Sequence, residues 1–197
     1  MTIDTSGDLR GWFRERLAEA LERRRVPASE PAQVYLVELL TGFATDPDTA
    51  DLARPLALQL AEAVEATGVE RIRRLRALGD AALYLAGFFA DHLHRRGVSR
   101  RYFMTMGERA YSSASALAAY SPSEAARSPV YSELAGEFEG FVETLDDVRE
   151  STALRTPQDI VKLYDRWRRT RSPRLAERLR EEGVFPIEDP SGGRTLH

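Results

Sequence analysis

The sequence predicts an all-α fold, and three observations support this. Apolar residues recur with the 3.6-residue period of an α-helix along most of the chain, whereas the two-residue alternation of a β-strand is hard to find. Proline, glycine and capping residues fall between the periodic segments. We expect a single-domain orthogonal or bundle-like array of about seven to eight helices over residues 1–186, with a disordered tail at 187–197.

The first three helices are predicted near the N-terminus. The first runs from Asp8 to about Arg25 and is followed by Pro27. The second follows Ser29 and Pro31, which are typical of an N-cap and a first helical turn. The third runs from about Thr49 to Ala66. The apolar faces of the three helices are predicted to be Leu9, Trp12, Phe13, Leu17 and Leu21; Val34, Val37, Leu40 and Phe43; and Leu52, Leu56, Leu60 and Val64.

The fourth helix, at about residues 69–95, is predicted to be the centre of the array. Its middle is apolar around nearly the whole circumference, which is typical of a helix surrounded by other helices. We expect Ala82, Leu85, Ala86 and Phe89 to be among the most buried residues. Gly79 and Asp80 could instead end one helix and begin another, but we favour a single helix.

Four more helices are predicted in the second half of the chain. The fifth begins after Ser99 and ends at Ser121, and the sixth is a continuous helix. The seventh begins at Thr156-Pro157, and the eighth begins at Ser172-Pro173 and ends at Gly183. The predicted apolar faces of the fifth and sixth helices are Phe103, Met106, Ala110, Ser113, Leu117 and Tyr120; and Tyr131, Leu134, Phe138, Phe141, Leu145 and Val148.

Composition limits the classes of function. The chain is 43% hydrophobic and 30% charged, as in ordinary globular proteins. It has no cysteine, which excludes disulfides and thiolate chemistry. The net charge of −3 argues against general nucleic-acid binding.

The N-terminus has no signal-peptide pattern, and the longest apolar stretch, Ala81–Ala90, is half of the roughly 20 residues that span a membrane. We therefore expect a cytoplasmic protein, and the arginine- and alanine-rich composition is typical of GC-rich bacteria.

No catalytic or cofactor motif is present. The chain has no Gly-x-Ser-x-Gly elbow, no phosphate-binding P-loop and no Gly-x-Gly-x-x-Gly sequence. Asp91, His92 and His94 form the only cluster with metal-ligand chemistry, and we interpret it as a polar helix end. The sequence therefore predicts no catalytic residue, no cofactor and no metal site.

Asp80 is the polar residue that most needs a partner. Asp80, Tyr84 and Asp91 share one face of the central helix, and burial of a carboxylate without a partner is costly. Arg109 and Tyr111 of the fifth helix are candidate partners. The sequence therefore predicts a polar network of these five residues, and we favour a structural role for it over a catalytic one.

Charge is unevenly distributed between two neighbouring segments. Acidic residues dominate from Glu133 to Glu150, and basic residues dominate from Arg155 to Arg180. We expect Tyr164 and Trp167 to lie in the core, and the arginines around them to form a solvated face. That face could pair with the acidic segment or with an acidic protein partner. It forms the candidate interaction surface, made of Arg166, Arg168, Arg169, Arg171 and Arg174.

Two stretches resemble a group of helical proteins found mostly in proteobacteria. The first is Leu78-Gly-Asp-Ala-Ala-Leu-Tyr-Leu-Ala-Gly-Phe-Phe-Ala-Asp, together with Tyr102, Met106-Gly and Ala110-Tyr111. The second is Leu163-Tyr-Asp-Arg-Trp with Thr170 and Ser172, followed by Gly183-Val-Phe-Pro186. The resemblance covers most of the chain after Asp51. It implies a helical fold and transfers no function.

Three hypotheses about function follow. The leading one is a non-enzymatic protein that acts by binding a protein partner or a second copy of itself. The alternative is an enzyme or small-ligand-binding protein with a pocket beside the Asp80–Asp91 face. The third is contact with nucleic acid through Arg166–Arg174, since the stretch from Tyr164 to Arg174 mixes aromatic and basic residues as nucleic-acid-contacting helices do.

Overall fold

A computed structural model describes residues 5–45, 52, 54–88, 99–151, 163–168 and 171–181. These residues form an all-α array without a β-strand, which confirms the predicted fold class. The α-helices are α1 (Thr5–Arg24), α2 (Glu30–Thr45), α3 (Leu56–Glu65), α4 (Gly68–Phe88), α5 (Arg100–Ala118), α6 (Ser128–Gly136), α7 (Phe138–Glu150) and α8 (Pro173–Glu181). A short 3-10 helix at Ala125–Arg127 precedes α6, and residues 163–168 form a further helical segment.

Helix α4 lies at the centre of the described array. It packs against α3, α5 and α7, and it continues through Gly79 and Asp80, so the single-helix prediction is confirmed. Ala82 and Ala86 are fully buried, as predicted. Leu85 is only partly buried, which corrects the prediction, and Phe89 lies outside the described residues.

Helix α5 packs on α4 through small residues, and this corrects the predicted apolar face. Its buried positions are Phe103, Gly107, Ala110, Tyr111, Ala114 and Ala118. Leu117 and Tyr120, predicted to face the core, are 38% and 91% exposed. A Cβ on Gly107 would lie 3.0 Å from Cβ of Ala82, which shows how closely the two helices approach. Close approach explains why the small-residue face turns inward.

The predicted sixth helix is two helices in the structure. Helix α6 ends at Gly136, and α7 begins at Phe138 after a break at Glu137, whose φ is −105° and ψ is 22°. All six residues of the predicted apolar face are nevertheless buried. The break therefore preserves the apolar face while it redirects the chain.

Helices α1 and α2 are joined by a short turn. Arg25 has φ of 56°, and Val26 N donates to Leu21 O at 3.1 Å, the bonding pattern of a Schellman C-cap. Ser29 Oγ accepts from Ala32 N at 3.2 Å, so Ser29 caps α2 as predicted. The carboxylate of Glu133, on α6, accepts from both Ser29 N and Ser29 Oγ. This contact fixes the start of α2 to α6.

Two further apolar residues are more exposed than predicted. Val34 on α2 is 49% exposed, and Val64 on α3 is 54% exposed. Leu56 of the predicted α3 face is buried, and Gln59 and Ala63 are buried beside it. Pro55 occupies the N-cap position of α3.

None of the helices described here is long and apolar enough to cross a membrane. The predicted domain boundary and the tail at 187–197 lie outside the described residues.

Candidate functional site

Asp80 is the centre of a polar cluster inside the helical array. It lies in the middle of α4, and 18% of its side chain is exposed. The hydroxyl of Tyr35, on α2, donates to Asp80 Oδ1 at 2.5 Å, and the hydroxyl of Tyr111, on α5, donates to the same oxygen at 2.7 Å. One carboxyl oxygen therefore joins three helices.

Two further residues complete this cluster. Arg76, one helical turn before Asp80, places its Nε 3.7 Å from Asp80 Oδ2. Tyr131, on α6, places its ring 6.1 Å from Tyr35 and 6.5 Å from Tyr111 between ring centroids. We call Tyr35, Arg76, Asp80, Tyr111 and Tyr131 the Asp80 cluster. Tyrosine rings surround the carboxyl group, and the guanidinium lies toward solvent, since 42% of the Arg76 side chain is exposed.

The backbone of α4 makes room for this arrangement. A Cβ on Gly79 would lie 2.8 Å from ring atoms of Tyr111, closer than real Cβ atoms approach such atoms. The glycine beside Asp80 therefore allows the Tyr111 ring to lie flat against the helix and bring its hydroxyl to the carboxylate.

Burial determines the protonation behaviour of the cluster. It raises the pKa of the Asp80 carboxyl above its ordinary value, although the hydroxyls of Tyr35 and Tyr111 and the charge of Arg76 act in the opposite direction. Burial, followed by the nearby Asp80 charge, raises the pKa of both phenols. The tyrosines are therefore neutral hydrogen-bond donors, and Asp80 is the group that can exchange a proton.

The predicted polar network is only partly assembled. The structure brings Asp80 and Tyr111 together. Tyr84 stacks on Phe43 with ring centroids 4.4 Å apart. Asp91 lies outside the described residues. Arg109 is exposed on a groove of about 720 Å³ between α5 and α6, because it lies on the opposite side of α5 from the buried Tyr111.

Sequence reasoning missed Tyr35 and Arg76. Arg76 had a detectable signal, because an arginine four residues before an aspartate on a helix is in position to pair with it. No sequence pattern indicates Tyr35, since its hydrogen bond to Asp80 depends on how α2 packs against α4. Tyr131 was predicted to lie in the core, where it is 1% exposed, but not to face Asp80.

The predicted interaction surface is exposed in its described part. The side chains of Arg166, Arg168, Arg171 and Arg174 are exposed, and we call these four residues the arginine face. Arg169 lies outside the described residues. The segment is anchored beneath this face by Tyr164 and Trp167, each 3% exposed, as expected from the sequence.

A local contact shapes the arginine face. The guanidinium of Arg171 lies 4.6 Å above the centroid of the Trp167 ring, a cation–π contact. Arg171 has φ of 50°, and its N–H donates to Trp167 O at 2.6 Å. Backbone bonds from Leu175 and Ala176 to Ser172 O then begin α8. Arg166 and Arg168 therefore lie on the 163–168 segment and Arg174 on α8, and Arg171 lies over the buried indole of Trp167.

The acidic segment pairs with other parts of the protein. Arg24 of α1 contacts Glu143 at 2.7 Å and Asp147 at 2.5 Å. Asp146 contacts Arg149 at 2.7 Å. These three carboxylates belong to the acidic segment that the sequence suggested as a partner for the arginine face, and arginines of α1 and α7 contact them.

Comparison with known proteins gives no match to a family model, a curated protein or a solved structure. The resemblance to proteobacterial helical proteins stays a prediction. The described residues contain no group of three His, Asp or Glu side chains that could hold a metal ion, and His92 and His94 lie outside them. Among the described residues, the Asp80 cluster and the arginine face are therefore the candidate functional sites.

Proposed function

We propose that this chain is a non-enzymatic protein of the bacterial cytoplasm that binds a protein partner, and that the arginine face recognises an acidic segment of that partner. The observation that carries the proposal is the exposure of four arginines, of which Arg166 and Arg168 lie on the 163–168 segment, Arg171 over the Trp167 ring and Arg174 on α8. Guanidinium groups bind carboxylates through paired, directional hydrogen bonds, so an acidic protein surface is the complementary ligand.

The pairing of the acidic segment supports this proposal. Asp147 and Glu143 are engaged by Arg24, so these two acids of α7 have their own partner within the fold. The ring of Trp167 holds the guanidinium of Arg171 in a cation–π contact. A prearranged positive surface loses less conformational entropy on binding than a mobile one.

One feature favours a protein over a nucleic acid as the ligand. Binding of single strands uses exposed aromatic rings on which bases stack. Here the aromatic residues of the segment that carries the arginine face, Tyr164 and Trp167, are buried.

The alternative of a pocket beside Asp80 receives less support. Oδ1 of Asp80 already accepts two hydroxyl donors, and such a carboxylate has reduced capacity to act on a substrate. The ring of Tyr84 is stacked on Phe43 and Phe88. These contacts are those of a packed interior, so we propose no catalytic role for the Asp80 cluster.

The test compares two charge-reversal variants of equal net charge. Arg168→Glu/Arg174→Glu changes the arginine face, and Arg14→Glu/Arg101→Glu changes two other exposed arginines, on α1 and α5. Partners are captured from the native host and identified by mass spectrometry, and the affinity of each purified partner is then measured. We expect the wild type and the control to bind a common acidic partner, and the arginine-face variant to lose at least tenfold in affinity.

The same variants separate the other hypotheses. Mobility-shift assays with mixed DNA and RNA at low salt test for nucleic acid, whose binding would weaken steeply with added salt. If the wild type and the control bound nucleic acid tightly and the arginine-face variant did not, the ligand of the arginine face would be nucleic acid rather than a protein. Equal partner binding by both variants would disprove the role of the arginine face. Circular dichroism of both variants checks that the fold is retained.

A further inference from the structure

The two oxygens of Asp80 have different surroundings. Oδ1 accepts hydrogen bonds from Tyr35 and Tyr111, which occupy both of its lone pairs. Oδ2 faces Arg76 Nε at 3.7 Å, which is too long for a hydrogen bond. Arg76 Nε is itself buried and makes no hydrogen bond to the described residues. A lone pair of Oδ2 is therefore available to a proton.

We propose that the Asp80 cluster is a proton-sensitive switch, in which a proton on Oδ2 of Asp80 releases Arg76 while the two tyrosine bonds to Oδ1 persist. Loss of that proton leaves a carboxylate that draws Arg76 into a charge-assisted hydrogen bond. The switch thus converts a buried protonation event into a change in the position of an arginine that reaches the protein surface.

The groups that face Asp80 support this mechanism. Tyr35 comes from α2, Tyr111 from α5 and Tyr131 from α6, and all three are neutral donors near neutral pH, because their pKa values are raised. Beyond Tyr131 lie Glu124 and Arg127, which form an ion pair with each other at 2.9 Å. Arg76 is therefore the cation that responds when the charge of Asp80 changes.

The direction of the pH effect follows from burial. Because the pKa of Asp80 is raised in the folded state, the folded protein binds this proton more tightly than the unfolded chain does. The stabilising contribution is complete below the ordinary aspartate pKa of about 3.9 and is lost as the pH rises through the folded-state value. Above that value Arg76 is drawn to the carboxylate.

Infrared spectroscopy of the full chain tests the switch directly. The C=O band of a protonated carboxyl group is followed by pH titration in the wild type, in Asp80→Asn and in the control Asp147→Asn. We expect one band to titrate above the range of exposed aspartates, to be absent from Asp80→Asn and to persist in Asp147→Asn. A wild type without such a band, or a band that persists in Asp80→Asn, would overturn the proposal.

Two milder variants keep the test decisive if Asp80→Asn does not fold. Tyr35→Phe removes one donor to the carboxylate, and Arg76→Met removes the cation while it keeps an apolar stem. Both changes remove groups that favour the charged form, so the midpoint of the band should move to higher pH in each. A midpoint that is unchanged in both, or that moves to lower pH, would show that Asp80 does not act with Arg76 as a switch.

Discussion

Three glycines of the core are each covered by a side chain from a neighbouring helix. An added Cβ would lie 2.8 Å from the Tyr111 ring at Gly79, 2.7 Å from Leu145 Cβ at Gly87, and 2.2 Å from the Phe138 ring at Gly107. These distances are shorter than van der Waals contact. The absence of a side chain at these positions therefore permits the close packing of α4, α5 and α7.

Gly107→Ala tests this packing most severely. Phe138 is 1% exposed and has little room to move, so the added methyl group should lower the free energy of unfolding by about 1–3 kcal/mol. Gly136→Ala is the control, because nothing lies within 4 Å of its Cβ position. Urea denaturation followed by circular dichroism measures both. Equal stabilities of the two variants would show that the Phe138 ring shifts without cost.

At Arg25 we expect the reverse exchange, from a residue with a side chain to glycine, to stabilise the protein. Its φ of 56° lies in the left-handed region, which is unfavourable for residues with a Cβ. Arg25→Gly should therefore stabilise the protein by up to about 1 kcal/mol. Arg14→Gly, in the middle of α1, should instead destabilise it by about 1 kcal/mol. Thermal denaturation distinguishes them, and a loss of stability in both would mean that the Arg25 side chain contributes more than its backbone strain costs.

The Asp80 cluster shows what single residues reveal before a structure is known. The sequence indicates that Asp80 needs a partner, because it interrupts an apolar helix, and it nominates Tyr111. It gives no reason to choose Tyr35, which belongs to a helix distant in sequence. Local spacing identifies the residue that needs a partner, and tertiary packing decides which residue provides it.

Helical periodicity predicted where the helices lie better than it predicted which face of each helix is buried. Val34, Val64 and Leu117 continue apolar patterns but are at least 38% exposed. The buried face of α5 instead contains one glycine and three alanines beside Phe103 and Tyr111. Large apolar residues dominate a pattern read from sequence, whereas close helix contacts select small ones. Such a preference becomes visible only when both helices are placed.

The apolar pattern of the sequence also did not indicate the break between α6 and α7. Leu134 and Phe138 are four residues apart, so the apolar pattern passes through Glu137 without interruption. Gly136 was the available signal, since glycine often follows the last turn of a helix. The predicted continuous helix was therefore wrong, although its buried residues were right.

The ion pairs between α1 and α7 give an element-scale prediction. Arg24 holds the pKa of Asp147 below its ordinary value, chiefly through a hydrogen bond. The stabilisation is present above the ordinary aspartate pKa and is lost as the pH falls through the lower folded-state value. Arg24→Met should therefore lower the free energy of unfolding at neutral pH by about 0.5–1 kcal/mol, and by less in acid.

The matched control for Arg24 is Arg14→Met, an exposed arginine of the same helix. Denaturation of both variants is measured from neutral to acidic pH. A deficit of Arg24→Met that stays constant across this range would show that the aliphatic stem of Arg24, rather than its charge, holds α1 against α7.

At the scale of the molecule, the central position of α4 was predictable and its neighbours were not. A helix that is apolar around most of its circumference must be surrounded, and α4 packs on α3, α5 and α7. The order in which helices surround it depends on connections and on small differences in packing. Composition and periodicity do not encode that order.

The central position of α4 makes a prediction about cooperativity. Leu78 is fully buried, so Leu78→Ala should lower the free energy of unfolding by about 2–5 kcal/mol. Because α5 and α7 pack on α4, amide hydrogen exchange should accelerate together in all three helices, as expected when the slowest amides exchange through global unfolding. Leu117→Ala, at a position 38% exposed, should leave that exchange nearly unchanged. Acceleration confined to α4 in Leu78→Ala would show that α4 opens locally, and that the array unfolds in separate parts rather than around one central helix.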